Sequence, residues 1–226
     1  YWNMDSSDID WNTNTIVDRS GTGNTGTLIG FNQATSSTSG KYNQALQFLN
    51  TNTKISVASS ETLNMSVTNA FTYSVWMKVT AFTPSAGSFN CLICHDVNQQ
   101  FSMHSSGGLI AFRPGGTVSQ LLNYGAPVRT VDQWYHLVAT YDGTTSKLYI
   151  NAVMAGNTSS MESIGTAGRN PTLTIGGSFL GGIGLNGVID EVRVYNRALS
   201  AQEVSALNQA ANFDVVVITP PATPQG

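Results

Sequence analysis

Charge is what this sequence has least of. Only 10% of its 226 residues are Asp, Glu, Lys or Arg, well below the roughly 25% usual for soluble domains. Its surface must therefore be built from Ser, Thr, Asn, Gln and Gly. The ten basic residues are scattered singly in a chain of net charge -3. That excludes the basic stripe that neutralises consecutive phosphates, and with it nucleic acid as a partner. No run approaches the ~18 apolar residues of a membrane span. Cys91 and Cys94 are the only cysteines, too few for a disulfide framework. The chain has no initiating Met and no charged-plus-apolar leader, and Tyr1 enters a strand directly. The expectation is a processed or trimmed N-terminus on a secreted chain.

Paired carboxylates are missing too. Glu61, Glu162, Glu191 and Glu203 are the only glutamates, and none pairs at i, i+2, whereas glycoside hydrolysis needs two carboxyl groups flanking the scissile bond. There is no G-x-S-x-G nucleophile motif, and His95, His104 and His136 stand alone. The chain reads as non-enzymatic.

What is present is strand. Apolar residues make up 41% of the chain, enough to fill a core between two sheets, and a single domain of this length is ordinary for all-β folds. Strand signals recur at Gln44 to Phe48, Phe71 to Val79, Leu109 to Phe112, Trp134 to Tyr141, Lys147 to Ile150, Leu173 to Ile175 and Val188 to Tyr195, separated by Gly, Ser, Thr and Asn. This spacing predicts a sandwich or barrel. Both the odd and the even positions of 134–141 are largely apolar, which suits a strand covered on two faces. Asp142-Gly143 between two such runs predicts a β-hairpin. Ser200-Ala-Gln-Glu203 has the spacing of a capping box, followed by Val204 and Leu207 on one helical face, so one short C-terminal helix is expected. Residues 209–226 form a separate tail, with the β-branched run Val215, Val216, Val217 and Ile218 ahead of a Pro-rich end.

Seven segments carry a resemblance. Tyr1-Trp-Asn-Met-Asp5, 17–28, Gly40-Lys-Tyr-Asn-Gln-Ala-Leu-Gln-Phe48, Phe71-Thr-Tyr-Ser-Val-Trp-Met-Lys78, 134–143, Lys147-Leu-Tyr-Ile-Asn151 and 189–200 resemble, in order, the laminin-G-like domains of the concanavalin A-like lectin/glucanase superfamily. The resemblance spans residues 1–208 and implies an all-β, two-sheet antiparallel jelly-roll sandwich. Members of this branch are generally non-catalytic and often hold a calcium ion between an N-terminal Asp-rich loop and the start of the last long strand. Here that implies a shell of Asp18, Asn24, Thr25 and Asp190, with oxygen donors of the kind a hard cation takes.

Other candidates come from residue chemistry. Cys91-Leu-Ile-Cys94-His95 matches the C-x-x-C-H attachment motif for haem, but it falls on a strand of the resembled fold, where cysteine behaves as a small hydrophobe and a sandwich core has no haem-sized cavity; the reading is against haem. Trp2, Trp76 and Trp134 lie in strand segments and read as core residues. Trp11 sits in a polar loop, where an aromatic face beside Asn and Asp suits a sugar, or folds back as a lid on the core. Tyr124 and Phe179, in Gly-flanked loops, are further ligand-binding candidates.

The expected function is a secreted, non-catalytic binding module, calcium-stabilised, for a glycan or cell-surface polymer. The alternative is a self-assembling surface layer or filament in which 215–218 add as a strand to a neighbour's sheet edge.

Overall fold

The structure is a computed structural model. It describes residues 1–49, 53–65, 69–82, 89–95, 100–104, 108, 110–114, 122–124, 128, 130–158, 172–177 and 184–210. In chain order the strands are β1 (Ile9–Asp10), β2 (Thr15–Ile16), β3 (Gly26–Ile29), β4 (Ser37–Ser39), β5 (Gln44–Leu49), β6 (Lys54–Val57), β7 (Phe71–Val79), β8 (Phe89–Cys94), β9 (Gln100–His104), β10 (Ile110–Arg113), β11 (Leu122–Tyr124), β12 (Trp134–Tyr141), β13 (Ser146–Ile150), β14 (Val153–Thr158), β15 (Leu173–Ile175) and β16 (Asn186–Tyr195). The helices are α1 (Gln33–Ser36) and α2 (Ala201–Gln209).

Two sheets form the sandwich. A nine-stranded sheet runs β1-β2-β3-β6-β15-β8-β9-β10-β11 and a seven-stranded sheet runs β14-β13-β12-β7-β16-β5-β4. The strand pairings are antiparallel, with β7 at the centre of the seven-stranded sheet between β12 and β16. This is the jelly-roll class expected from the sequence.

The core lies between the sheets because strand side chains alternate in direction. Tyr73, Val75, Met77 and Val79 of β7 and Tyr135, Leu137, Ala139 and Tyr141 of β12 point inward and meet Ile55, Val57, Phe101, Ile110, Phe112, Leu173 and Ile175 of the other sheet. Phe112 joins the layers edge-on, its ring centroid 5.8 Å from that of Phe71 and 6.4 Å from that of Tyr73.

The second apolar face of β12 has a separate cause. Helix α2 lies across the outside of the seven-stranded sheet and buries Leu199, Val204 and Leu207 against Val138 and Tyr149. Its predicted capping box forms: the Ser200 hydroxyl accepts from the Glu203 amide at 3.3 Å, and the Glu203 carboxylate accepts from the Ser200 amide at 2.8 Å. Thr72 ties the preceding loop to the sheet, donating to the Arg197 carbonyl at 2.8 Å and accepting from the Leu199 amide at 3.0 Å. At the predicted hairpin β12 pairs β13, and Asp142 accepts from the amides of Thr144 and Thr145 at 3.0 and 2.7 Å.

Strand β16 is irregular between Asp190 and Arg193. Glu191 adopts φ 52°, the left-handed conformation of a bulge residue. Beyond it Val192 turns into the core and exchanges two 2.9 Å backbone hydrogen bonds with Trp2. The bulge leaves the side chains of Glu191 and Arg193 side by side on the outside of the sheet. The tail run Val215 to Ile218 lies outside the described residues.

Candidate functional site

Helix α2 covers only part of the outer face of the seven-stranded sheet. The remainder carries Ser74, Trp76 and Lys78 of β7, the positions of opposite parity to the core set; Ser74 and Trp76 are buried beneath their neighbours and Lys78 is partly exposed. In register beside them stand His136 and Trp134 of β12, and Arg193, Asp190 and Val188 of β16. Trp76 is opposite His136 on one side and Asp190 on the other.

These side chains form a continuous polar and aromatic network. The Trp76 and His136 rings stack at 4.9 Å with 21° between planes. His136 Nε2 and Ser74 Oγ share a hydrogen bond of 2.9 Å. Above Trp76 lies the loop before β5, with Lys41 Nζ 4.3 Å from the indole centroid and the Tyr42 ring edge-on at 6.1 Å. Lys78 Nζ stands 5.3 Å from the Trp134 ring. Arg193 pairs with Glu191 at 2.7 Å and lies 4.1 Å over the Tyr1 ring, whose hydroxyl donates to Glu191 at 2.8 Å. Ser74, Trp76, His136, Glu191, Arg193, Leu207 and Ala210 line a cleft of ≈ 10 Å³. That is room for about one water molecule.

Burial sets the protonation states. His136 Nδ1 is buried without a hydrogen-bond partner among the described residues. Desolvation, with Arg193 and Lys41 adding positive charge nearby and Asn208 opposing, pushes His136 down to about 3, so its imidazole is neutral at ordinary pH. Asp190 is fully buried. Its Oδ2 accepts from the amides of Lys41 and Tyr42 at 2.9 and 3.1 Å, and its Oδ1 has no partner among the described residues. Burial first, and the Glu191 charge with it, push this carboxyl up to about 8 against the Tyr42 amide that favours its ionised form.

Asp18 and Asp190, expected to share a cation, belong to separate networks. Asp18 accepts from the Tyr1 ammonium (2.8 Å), the Ser20 amide (2.9 Å), the Thr22 hydroxyl (2.8 Å) and the Asn24 amide (3.0 Å). Burial opposes its charge, but these donors outweigh burial and hold it well below the usual carboxylate range. The Asn24 side chain bonds instead to Thr22, Ser60 and Thr62, and the Thr25 amide donates to Gly23. Among the described residues no three His, Cys, Asp or Glu side chains gather as a metal shell.

Trp11 is half-buried and packs on the core cluster, the lid arrangement. The side chain of Tyr124 and the whole of Phe179 lie outside the described residues. Two expectations are corrected. Cys91 and Cys94 are joined in a disulfide, Cα to Cα 5.9 Å, instead of acting as free small hydrophobes. A bulge between Cys91 and Ile93 turns both cysteines to one face of β8. Trp2 is a core residue whose indole donates to the Asn24 carbonyl at 3.0 Å, whereas Trp76, although buried, lies with Trp134 on the outer face of the seven-stranded sheet. The parity of β7 and β12 carried that signal: Trp76 shares it with Ser74 and Lys78.

Comparison with known proteins places the fold. A family model described as concanavalin A-like lectin/glucanases superfamily matches residues 49–205. Domain 4 of AbnA, an extracellular arabinanase from Geobacillus stearothermophilus, solved with arabinotriose, is 22% identical at a TM-score of 0.64, covering 92% of this chain and 96% of that one. The receptor-binding domain of botulinum neurotoxin C/D mosaic serotype is 16% identical at 0.67, covering 92% of this chain but 50% of its own. Trypanosoma rangeli sialidase, solved with sialic acid, is 13% identical at 0.65 over 92% of this chain and 32% of the enzyme. No curated protein sequence matches.

Proposed function

From the premise that the chain belongs to the concanavalin A-like lectin/glucanases superfamily, we propose that it is a non-catalytic extracellular binding module. It holds a glycan or surface polymer on the outer face of the seven-stranded sheet, beside helix α2. The observation that carries this reading is the network on that face: half-exposed Trp134 and Tyr42 offer flat apolar surface, while the partly exposed Lys41 and Lys78, seated on aromatic rings, supply polar groups beside it. Sugars need that combination, a face for their C–H groups and oriented donors and acceptors for their hydroxyls. A domain of an arabinanase, of nearly equal length and solved with arabinotriose, supports a unit of this size as a glycan binder.

The carboxylates argue against catalysis. Asp190 and Glu191 are the acidic pair on this face. Asp190 is sealed beneath the loop before β5, and Glu191 is engaged by Arg193 and Tyr1. Neither can be placed on opposite sides of a glycosidic bond, as hydrolysis requires. The extracellular setting is supported by the disulfide, which persists in oxidising compartments. Calcium enters this proposal through Asp190 alone, whose buried Oδ1 a hard cation would satisfy; the Asp18 oxygens are already taken by donors.

Affinity electrophoresis through gels containing polysaccharide tests the reading. Trp134→Ala abolishes retardation without lowering the melting temperature, while Trp11→Ala leaves it unchanged. Loss of retardation in Trp11→Ala alone would move the site to the β1–β2 loop.

A further inference from the structure

Lysine is scarce in this chain, and its placement is uneven. Among the described basic residues, Lys41, Lys78 and Arg193 gather around Trp76 and Trp134 on the outer face. Arg193 is answered by Glu191 at 2.7 Å. No ion pair of the described structure includes Lys41 or Lys78. Each instead rests on an aromatic ring, Lys41 over Trp76 at 4.3 Å and over Tyr42 at 5.9 Å, and Lys78 over Trp134 at 5.3 Å. A cation on a ring face keeps its N–H donors for a further partner, because the ring's π-electrons attract the charge without accepting its hydrogens as a carboxylate does. The rings also limit where the flexible lysine stems can go.

The two cations are adjacent. Trp76, which carries Lys41, and Lys78 itself are two residues apart on one face of β7, roughly 7 Å along the strand. Beside them on β12 stand His136 and Trp134. The face therefore sets two cations, one from β7 and one from the loop before β5, beside aromatic rings, with no acidic side chain paired to its lysines among the described residues.

We propose that this face selects an acidic glycan, a polysaccharide bearing uronate carboxylates, with Lys41 and Lys78 each receiving a carboxylate and Trp134 and Tyr42 taking the sugar's apolar faces. The proposal rests on the glycan-binding reading above and adds its substrate class. Two positive groups on a protein of net charge -3 suit a polymer with one charge per sugar. They do not suit a duplex carrying one charge per ~1.7 Å.

The test compares retardation of the full chain in gels containing polygalacturonate, neutral arabinan, dextran sulfate or single-stranded DNA at low salt. Polygalacturonate is expected to retard most. K41Q/K78Q weakens that binding by about tenfold or more, K41R/K78R restores most of it, and raised salt weakens it by screening. Melting curves that match the parent show that the variants fold. Equal retardation by arabinan, insensitive to both lysines, would overturn the acidic selectivity while leaving the glycan reading intact. No retardation by either polysaccharide would overturn both. Equal retardation by dextran sulfate or DNA would show indiscriminate polyanion capture and overturn the uronate assignment.

Discussion

Gly40 and Asp190 show how closely single residues are set around the candidate site. A Cβ on Gly40 would stand 2.4 Å from the Tyr42 carbonyl oxygen and 2.7 Å from Asp190 Oδ2; only glycine lets the loop close over the carboxyl. Burial shifts Asp190 and His136 in opposed directions. Asp190 titrates near 8 when folded against an ordinary 3.8, so its contribution is fully present below the unfolded value and is lost as pH rises toward 8. His136 titrates near 3 against 6.5, so its contribution is present above 6.5 and is lost as pH falls. Between about pH 4 and 6.5 the two slopes oppose each other, each at most about 1.4 kcal/mol per pH unit. In calcium-free urea titrations D190N therefore gains stability relative to the parent as pH rises from 5 to 8. H136Q gains relative to the parent as pH falls from 6.5 to 5. Parallel pH curves for the parent and both variants would show that neither group is buried as described. The D190N variant also reports on calcium: a rise in melting temperature that EDTA reverses in the parent, and that D190N lacks, supports a cation there.

At the scale of elements, helix α2 divides the outer face of the seven-stranded sheet into a covered part and an open part. Nine residues form it, too few for an isolated helix to persist in water, so it depends on its cap and on Val204 and Leu207 docking against Val138 and Tyr149. Arg197 braces the same cap, donating to the Glu203 carboxylate at 2.7 and 3.1 Å. Ser200→Ala removes one half of the capping box and is expected to lower stability by about 1 kcal/mol, measured from denaturant midpoints at unchanged slope. Ser200→Asp, which keeps an acceptor at the cap, should recover most of that loss. The bulge in β16 is the second deciding element. It places Glu191 and Arg193 together on the outside of the sheet while Val192 fills the core.

For the whole molecule, the strands described in both sheets lie before α2, and the family match ends at residue 205. Removing residues 211–226 is therefore expected to leave the melting temperature and the strand signal in circular dichroism unchanged. Light scattering on the same pair of proteins tests the strand-exchange alternative. Higher assemblies that vanish with the deletion support self-association through Val215 to Ile218, and a monomer before and after removes it. A fall in melting temperature on truncation would instead mark the segment as part of the domain.

Alternation, turn chemistry and capping are local, so they were legible in the sequence. Seven predicted strands, the Asp142-Gly143 hairpin and the Ser200 to Glu203 capping box all occur within a residue or two of their expected bounds. The doubly apolar pattern of Trp134 to Tyr141 was legible as a strand covered on both faces, although not that a helix provides one cover. Asp190 could be singled out from sequence, but its surroundings could not. The carboxyl is sealed by amides some 150 positions earlier in the chain, and the site combines β7, β12, β16 and the loop before β5, which only sheet register brings side by side. Which face Trp76 and Trp134 occupy, and that Cys91 and Cys94 meet, depended on parity and on one extra residue in a strand. The sequence shows that Trp76 shares its parity with Ser74 and Lys78, but a shift of one residue reverses every side chain's direction, so the tertiary structure decided which parity faces the core and that the cysteines meet.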